Sequence, residues 1–196
     1  MSRIGLFIST FDPPTYNDMQ MASKILYDIT DISQLWFIAY GKAATPLKNR
    51  EEMLIYATQA FFPETQAIQC KQIENADKSN SNALLEIYQF IQSQYKSKQF
   101  LLICYNEQVN SEFGEKSELL GQTICINYST EIPLNAPRYL VKQDEFISVD
   151  FKTLHNEIIN RLKKIQRASN IDCCKVLNLI PKLVLQYIIA NGLYLN

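Results

Sequence analysis

Histidine occurs once in this chain of 196 residues, as His155. That excludes any site needing two imidazoles, and a lone histidine with no cysteine or aspartate spaced around it does not have the pattern of a metal ligand. A surplus of positive charge is missing as well: 19 Lys and Arg stand against 20 Asp and Glu, for a net charge of −1. Nucleic acid and anionic membranes are recognised by clustered cations, so neither is expected as a partner. The cysteines, at 70, 104, 125, 173 and 174, are odd in number and lack metal-ligand spacing. Adjacent Cys173 and Cys174 would form a poor chelate and a strained disulfide, which leaves reduced core thiols as the reading. Glycine is rare, five in all beside eleven tyrosines; with the abundant Asn, Gln and Lys this speaks of base composition more than of mechanism. Long apolar runs are absent too. The segment after Arg3 is too short for a secretory leader and stops at Asp12-Pro13, while Leu177 to Leu195 is broken by Pro181, Lys182, Gln186 and Asn191. The expectation is a soluble cytoplasmic chain.

What is present is an alternation of apolar runs and amphipathic stretches. With 47% hydrophobic residues the length suits one α/β domain spanning residues 1–196. Ile4 to Ser9 reads as a buried parallel strand with both faces covered. Phe11-Asp12-Pro13-Pro14 stops it, since proline cannot continue a ladder and pushes the preceding residue out of helical conformation. A helix is expected from about Asn17, with Met21, Ala22, Ile25 and Leu26 on one face. Strand, tight turn and helix start in sequence make an anion site, because unpaired first-turn N–H groups and the positive end of the dipole point at the turn. Further strands are read at Gln34 to Ala39, Gln66 to Ile73, Phe100 to Cys104, Ile124 to Ile126 and within Tyr139 to Val149. Between them lie helices with Met53, Leu54, Ala57 and Phe61, with Leu84, Leu85, Tyr88 and Ile91, and with Leu154, Ile158, Leu162 and Ile165 on their inner faces. The alternation predicts a Rossmann-like, doubly wound, mainly parallel sheet flanked by helices, with a C-terminal helical segment.

Ile4-Gly-Leu-Phe and Thr10-Phe-Asp-Pro-Pro resemble the first strand and turn of the nicotinate (nicotinamide) mononucleotide adenylyltransferases, members of the nucleotidyltransferase superfamily with an H-x-G-H motif. The family pattern there is roughly G-G-T-F-D-P-P-H-x-G-H. Here the glycine positions are Ile8 and Ser9, and the H-x-G-H positions are Thr15, Tyr16, Asn17 and Asp18. The resemblance assigns Thr15 and Asp18 to the catalytic histidine positions, which in the family contact the ATP phosphates. It assigns Ser9, Thr10, Phe11 and Asp12 to nucleotide binding. Asp18 would set a carboxylate where a polyphosphate lies, and like charges ~4 Å apart repel by about 1 kcal/mol in water and more in a closed site.

The likeness continues along the chain. Gln34 to Ala39 is similar to the family's V-W-F-I-P-A strand, and Lys48 and Arg50 match in kind the Lys and Arg that the family carries at the next loop and helix start. Taken alone, such a pair could equally be solvated. Ser79-Asn80-Ser81-Asn82-Ala83-Leu84 stands at the family's S-Y-T-x-D-T-L junction, with a helix cap by Ser79 or Asn80 as the simpler reading. Asn106 occupies the position of the aspartate that holds the ATP ribose. Ser129 to Ile132 mimics part of a second motif, I-S-S-T-x-I-R, but Pro133 follows where the helix should continue, so the counterpart is placed at Ile147 to Thr153, with Lys152 beside the arginine position. Leu179 to Tyr194 resembles the family's Y-L-V-P-x-x-V-x-x-Y-I-x-x-x-G-L-Y ending, a packing motif with Pro181 at a helix start, Val184, Leu185 and Ile188 inward, and Gly192 as the C-terminal cap. An insertion is expected around Ile159 to Cys174.

Two functional expectations follow from the resemblance. The first is a pseudoenzyme of NAD-biosynthesis ancestry, impaired in catalysis and keeping the fold to bind a nucleotide or another protein. The second is an active adenylyltransferase making (deamido-)NAD from ATP and a pyridine mononucleotide, with magnesium carried by ATP. If it is inactive, no cofactor is expected, and no metal site of the protein's own is expected in either case.

Overall fold

The computed structural model describes residues 3–63, 65–73, 76, 83–105, 123–127, 139–142, 151–165 and 174–194. The described strands are β1 (Arg3–Ser9), β2 (Ile32–Ala39), β3 (Ile68–Cys70), β4 (Phe100–Tyr105), β5 (Thr123–Asn127) and β6 (Tyr139–Lys142). The described helices are α1 (Tyr16–Asp28), α2 (Leu47–Phe61), α3 (Ala83–Gln94), α4 (Phe151–Ile165), α5 (Cys174–Leu177) and α6 (Lys182–Ala190). All the strands join one parallel sheet in the order β3-β2-β1-β4-β5-β6. Strand order reverses between β1 and β4, and in such sheets the crevice at the carboxyl ends of those two strands is where ligands bind. The Rossmann-like α/β expectation therefore holds in topology as well as in class.

The pattern of β1 explains the layering. Ile4, Leu6 and Ile8 point to one face, packing with Trp36, Ile38, Leu102 and the α3 residues Leu84, Tyr88 and Ile91. Phe7 points to the other, where it meets Met19, Ala22 and Ile25 of α1, Met53 and Ala57 of α2, and Val184 and Ile188 of α6. Both sides are apolar because both are covered, which is why the strand reads as a continuous hydrophobic run. Gly5 is fixed by close approach: a Cβ there would lie 2.7 Å from Ile103 Cδ1 and 3.3 Å from Leu35 Cδ2. Any side chain there would force the Ile103 side chain, and to a lesser degree that of Leu35, to shift.

The first helix begins one residue before the expected start, at Tyr16, and on it Met21, Ala22 and Ile25 are buried. In α3 Ile87 takes the inward place expected of Leu85. The C-terminal reading also holds in detail: Pro181 precedes the first turn of α6, and Val184, Leu185 and Ile188 form its buried stripe. The helix closes with the Leu193 N–H donating to the Ile188 carbonyl (3.0 Å) and the Gly192 N–H to the Ile189 carbonyl (3.3 Å), with Gly192 left-handed at φ 59. This is the paired-bond ending that glycine permits without a Cβ penalty. Among the described residues no helix is long and apolar enough to cross a membrane.

Candidate functional site

The carboxyl ends of β1 and β2 bring Ser9, Thr10, Phe11, Asp12, Thr15, Asp18, Lys48 and Arg50 into one neighbourhood. Asn106 lies outside the described residues, as do Ser79 to Asn82, Ser129 to Ile132 and residues 166–173 of the expected insertion. Lys152 lies in α4, but its side chain is outside the description.

Thr15 and Asp18 are engaged with each other. Thr15 is the N-cap of α1, extended at φ −114 and ψ 164. Its Oγ1 accepts from the Asp18 N–H (3.2 Å), while Asp18 Oδ2 accepts from the Thr15 N–H (2.8 Å) and the Thr15 hydroxyl (2.7 Å). Both side chains are buried, Asp18 with no exposed surface. This is a capping box, in which residues three apart satisfy each other's orphan donors. A carboxylate in the first turn also sits at the favourable end of the helix dipole. A further first-turn donor, the Tyr16 N–H, gives its proton to the Leu179 carbonyl, 2.9 Å away in the segment leading to α6. Thus the anion site expected at this turn is filled from within: α1 carries its own anion, and a carbonyl from the far end of the chain takes another donor.

Arg50 shows the same internal use. It projects from the first turn of α2, is only 1% exposed, and donates to backbone carbonyls of both strand ends and the loop between. Nε reaches Thr45 (3.0 Å), Nη1 reaches Thr10 and Tyr40 (2.7 Å each), and Nη2 reaches Gly41. The planar fork of guanidinium suits this clamp as it would suit a phosphate, and here it is the backbone that occupies it. The clamp also draws on the turn's left-handed conformations, Phe11 at φ 45 and Gly41 at φ 69. Lys48, expected beside Arg50, is exposed.

Asp12 is likewise tied to protein donors. Oδ2 accepts from the Thr45 N–H (3.1 Å), and Oδ1 accepts from the Tyr194 hydroxyl. Burial, reinforced by the Asp12 charge and that hydrogen bond, raises the Tyr194 phenol well above its usual range. Phe11 is a core residue, packed edge-on against Phe7 (centroids 5.5 Å) and Phe37 (5.6 Å). Ser9 is buried at the end of β1 and its hydroxyl has no hydrogen-bond partner among the described residues. Ile8, where the family has glycine, is fully buried in the layer under α3. Ile8 and Asp18 are thus both turned into the protein, with no exposed surface. Thr10 stays partly exposed.

Other shifted groups lie away from this end. Burial pushes the Cys70 thiol up to about 11 against a bond with Thr58, and pushes Tyr88 up to about 12. Burial also raises Glu51, with the Arg50 charge opposing it. Among the described residues no group of His, Cys, Asp and Glu could hold a metal ion.

The Arg50–Thr10, Tyr16–Leu179 and Asp12–Tyr194 bonds share one feature that the sequence could not disclose: each joins residues distant in the chain. The capping box alone had a local signal. Thr15 and Asp18 are spaced as an N-cap and its third helical residue, a pattern legible without any family alignment.

No protein-family model matches the chain. It is 25% identical over 201 residues, covering 97% of this chain and 96% of the other, to a Leptospira interrogans protein named "Probable nicotinate-nucleotide adenylyltransferase". A stretch of 53 residues, 27% of this chain and 23% of the other, is 40% identical to a protein of the same name from Geobacillus thermodenitrificans. In three dimensions it superposes on the Plasmodium falciparum nicotinic acid mononucleotide adenylyltransferase complexed with NaAD, with a TM-score of 0.71 at 17% identity, covering 99% of this chain and 98% of that one. Along nearly its whole length the chain is thus similar in sequence to a protein named probable nicotinate-nucleotide adenylyltransferase, and it has the fold of the Plasmodium falciparum enzyme.

Proposed function

We propose that this chain is an adenylyltransferase-like protein of NAD metabolism that has kept the nucleotide-binding fold and lost most of the power to transfer an adenylyl group. The observation that carries this reading is the Thr15–Asp18 capping box. Adenylyl transfer needs no covalent residue; it depends on aligning the mononucleotide phosphate with the α-phosphorus and on neutralising charge as the bond changes. The places where the family supplies that neutralisation hold a hydroxyl and a carboxylate turned into each other. A polyphosphate approaching α1 would have to displace Asp18, whose bonds to Thr15 are each of a class worth ~1.5 to 3 kcal/mol. Arg50 is held by four backbone carbonyls and offers a phosphate little that is free of competition. At 1.36 kcal/mol per tenfold in rate, losing even about 3 to 4 kcal/mol of transition-state stabilisation slows transfer on the order of a hundred- to a thousandfold.

The groups left to meet a nucleotide are Thr10 and Lys48, with Asn106 and Lys152 as further candidates from the sequence. Magnesium would arrive with ATP as part of the substrate. The retained role is then binding, of a nucleotide or of a protein partner, at the carboxyl end of the sheet. The test is direct. Purified protein with ATP, magnesium and nicotinate mononucleotide is assayed for pyrophosphate release, and both nucleotides are titrated by calorimetry. The expected result is no more than a trace of dinucleotide. Robust turnover would return the protein to the active adenylyltransferases, binding without turnover supports a nucleotide sensor, and neither turnover nor binding points to a protein partner.

A further inference from the structure

We propose that the Asp12–Tyr194 hydrogen bond is a releasable latch, through which the C-terminal turn holds the β1–α1 turn closed against ligands. This rests on the reading above in one respect, that the carboxyl-end crevice is where a ligand would enter.

The strain in the backbone points to it. Among the described residues two that are not glycine have a left-handed φ: Phe11 at 45 and Tyr194 at 64. They stand at the two ends of a single contact, since Phe11 immediately precedes Asp12 and Tyr194 supplies the hydroxyl. A left-handed conformation is disfavoured in a residue with a Cβ by roughly five- to thirtyfold, and it persists where surrounding contacts impose it. A hydrogen bond to a carboxylate favours the closed form by about ten- to a hundredfold. With two such residues the backbone cost is at least as large as the gain from this one bond, so the closed turn depends on its surrounding contacts as well and a competing donor could open it.

The way Asp12 is bonded shows which side gives way. Oδ2 receives a backbone N–H from Thr45, and the Thr45 carbonyl is in turn held by Arg50. That side belongs to the buried clamp. Oδ1 receives a side-chain hydroxyl that follows the glycine turn ending α6. The phenol also bonds the Thr45 side chain, but unlike the Thr45 N–H it is a side-chain donor from the terminal turn; it is the exchangeable side, and a ligand bearing a hydroxyl donor, such as the ribose of a nucleotide, could substitute for it. The Tyr187 hydroxyl, which accepts from Asn49 Nδ2 at 3.2 Å, ties the same helix to α2 without touching Asp12. The two tyrosines of one segment thus provide a latch and an independent anchor.

The experiment is amide hydrogen exchange on the full chain, comparing the wild type with Tyr194→Phe and Tyr187→Phe, together with calorimetric titration of magnesium-ATP. In Tyr194→Phe the amides of Thr45, Phe11, Asp12, Thr15 and Tyr16 are expected to exchange about tenfold faster, with the amides of Ile4 to Ile8 unchanged. Tyr187→Phe should leave the Thr45 amide at its wild-type rate. Where ATP binds, its affinity should rise in Tyr194→Phe, because the cost of opening has been removed. Unchanged exchange at Thr45 in Tyr194→Phe would overturn the latch whatever ATP does. Faster exchange spread equally through β1 would overturn it too, as general destabilisation. Faster exchange confined to the turn, with no ATP binding by either protein, would uphold the latch and count against the nucleotide reading.

Discussion

Two helices start at the carboxyl edge of the sheet, side by side, and they start in opposite ways. The first turn of α1 is closed by its own residues: Thr15 and Asp18 cap one another, and the Tyr16 N–H is taken by Leu179. In contrast, α2 begins at Pro46, which makes no side-chain capping bond, and its first turn presents an exposed lysine outward and a buried arginine inward. The dipole points at the same crevice from both. The difference shows that two helices at one sheet edge can satisfy their first-turn donors by different means, one from its own side chains and one without a side-chain cap. A carboxylate at the third helical position satisfies the donors of the α1 start permanently, which a transient ligand could not do.

The largest expected effect tests the inward half of the α2 start. Arg50→Met leaves four carbonyls at the ends of β1 and β2 and in the intervening loop without their donor. The expected loss is about 3 to 5 kcal/mol of unfolding free energy, read from the midpoint of a urea titration. Arg50→Lys should recover little of it, because an ammonium cannot fork to carbonyls lying in several directions. A loss below about 1 kcal/mol would mean that the strand ends are held by packing alone, and Arg50 would again be free to serve a ligand.

A smaller effect is expected from opening the closed helix. Asp18→Ala removes the acceptor of both Thr15 bonds together with the favourable charge at the helix start, and should cost about 1 to 2 kcal/mol. The same variant should gain affinity for inorganic pyrophosphate, since the Thr15 N–H and hydroxyl are released and a repelling carboxylate is gone. Destabilisation without any gain in pyrophosphate binding would show that the Leu179 carbonyl and the Tyr194 contact suffice to keep anions away, and the contrast between the two helix starts would then lie in the C-terminal segment.

The fold was largely legible because its signals are local. Apolar runs at Ile4 to Ser9 and Phe100 to Cys104, bounded by turn residues, could hardly be anything but buried strands, and they appear as Arg3–Ser9 and Phe100–Tyr105. The expected third strand was too long: Gln66 to Ile73 shrinks to Ile68–Cys70, the part that pairs with Leu35 to Phe37 on β2. The site was legible only as a location. Alignment placed Arg50 at the crevice, yet whether a guanidinium faces solvent, phosphate or carbonyls depends on acceptors up to 40 residues away in sequence. Phe11 was read as a nucleotide contact because it lies inside a motif, and its left-handed backbone turns it instead toward Phe7 and Phe37. Tyr194 looked like part of a packing motif, and nothing in its neighbours along the chain announces a bond to Asp12.

The smallest effect is expected at the outward half of the α2 start. Lys48 is exposed, and a surface residue away from caps, cores and buried networks usually changes stability by less than about 0.5 kcal/mol when truncated. Lys48→Ala should therefore unfold at the wild-type urea midpoint, in contrast to both variants above. Its consequence should be seen in anion binding at low salt. If the open helix start is where residual affinity for ATP or pyrophosphate resides, one exposed cation contributes about 0.2 to 1 kcal/mol, so the dissociation constant rises by roughly 1.4- to 5-fold. Screening shrinks the difference as ionic strength rises, because the Debye length falls from about 30 Å at 0.01 M to 10 Å at 0.1 M. Paired titrations of wild type and Lys48→Ala at those two salt concentrations measure it. A loss that persists at high salt would indicate a desolvated phosphate contact and a site better formed than the exposed lysine suggests. No loss at either salt would remove α2 from the list of anion sites and leave the crevice without a cationic handle among its described residues.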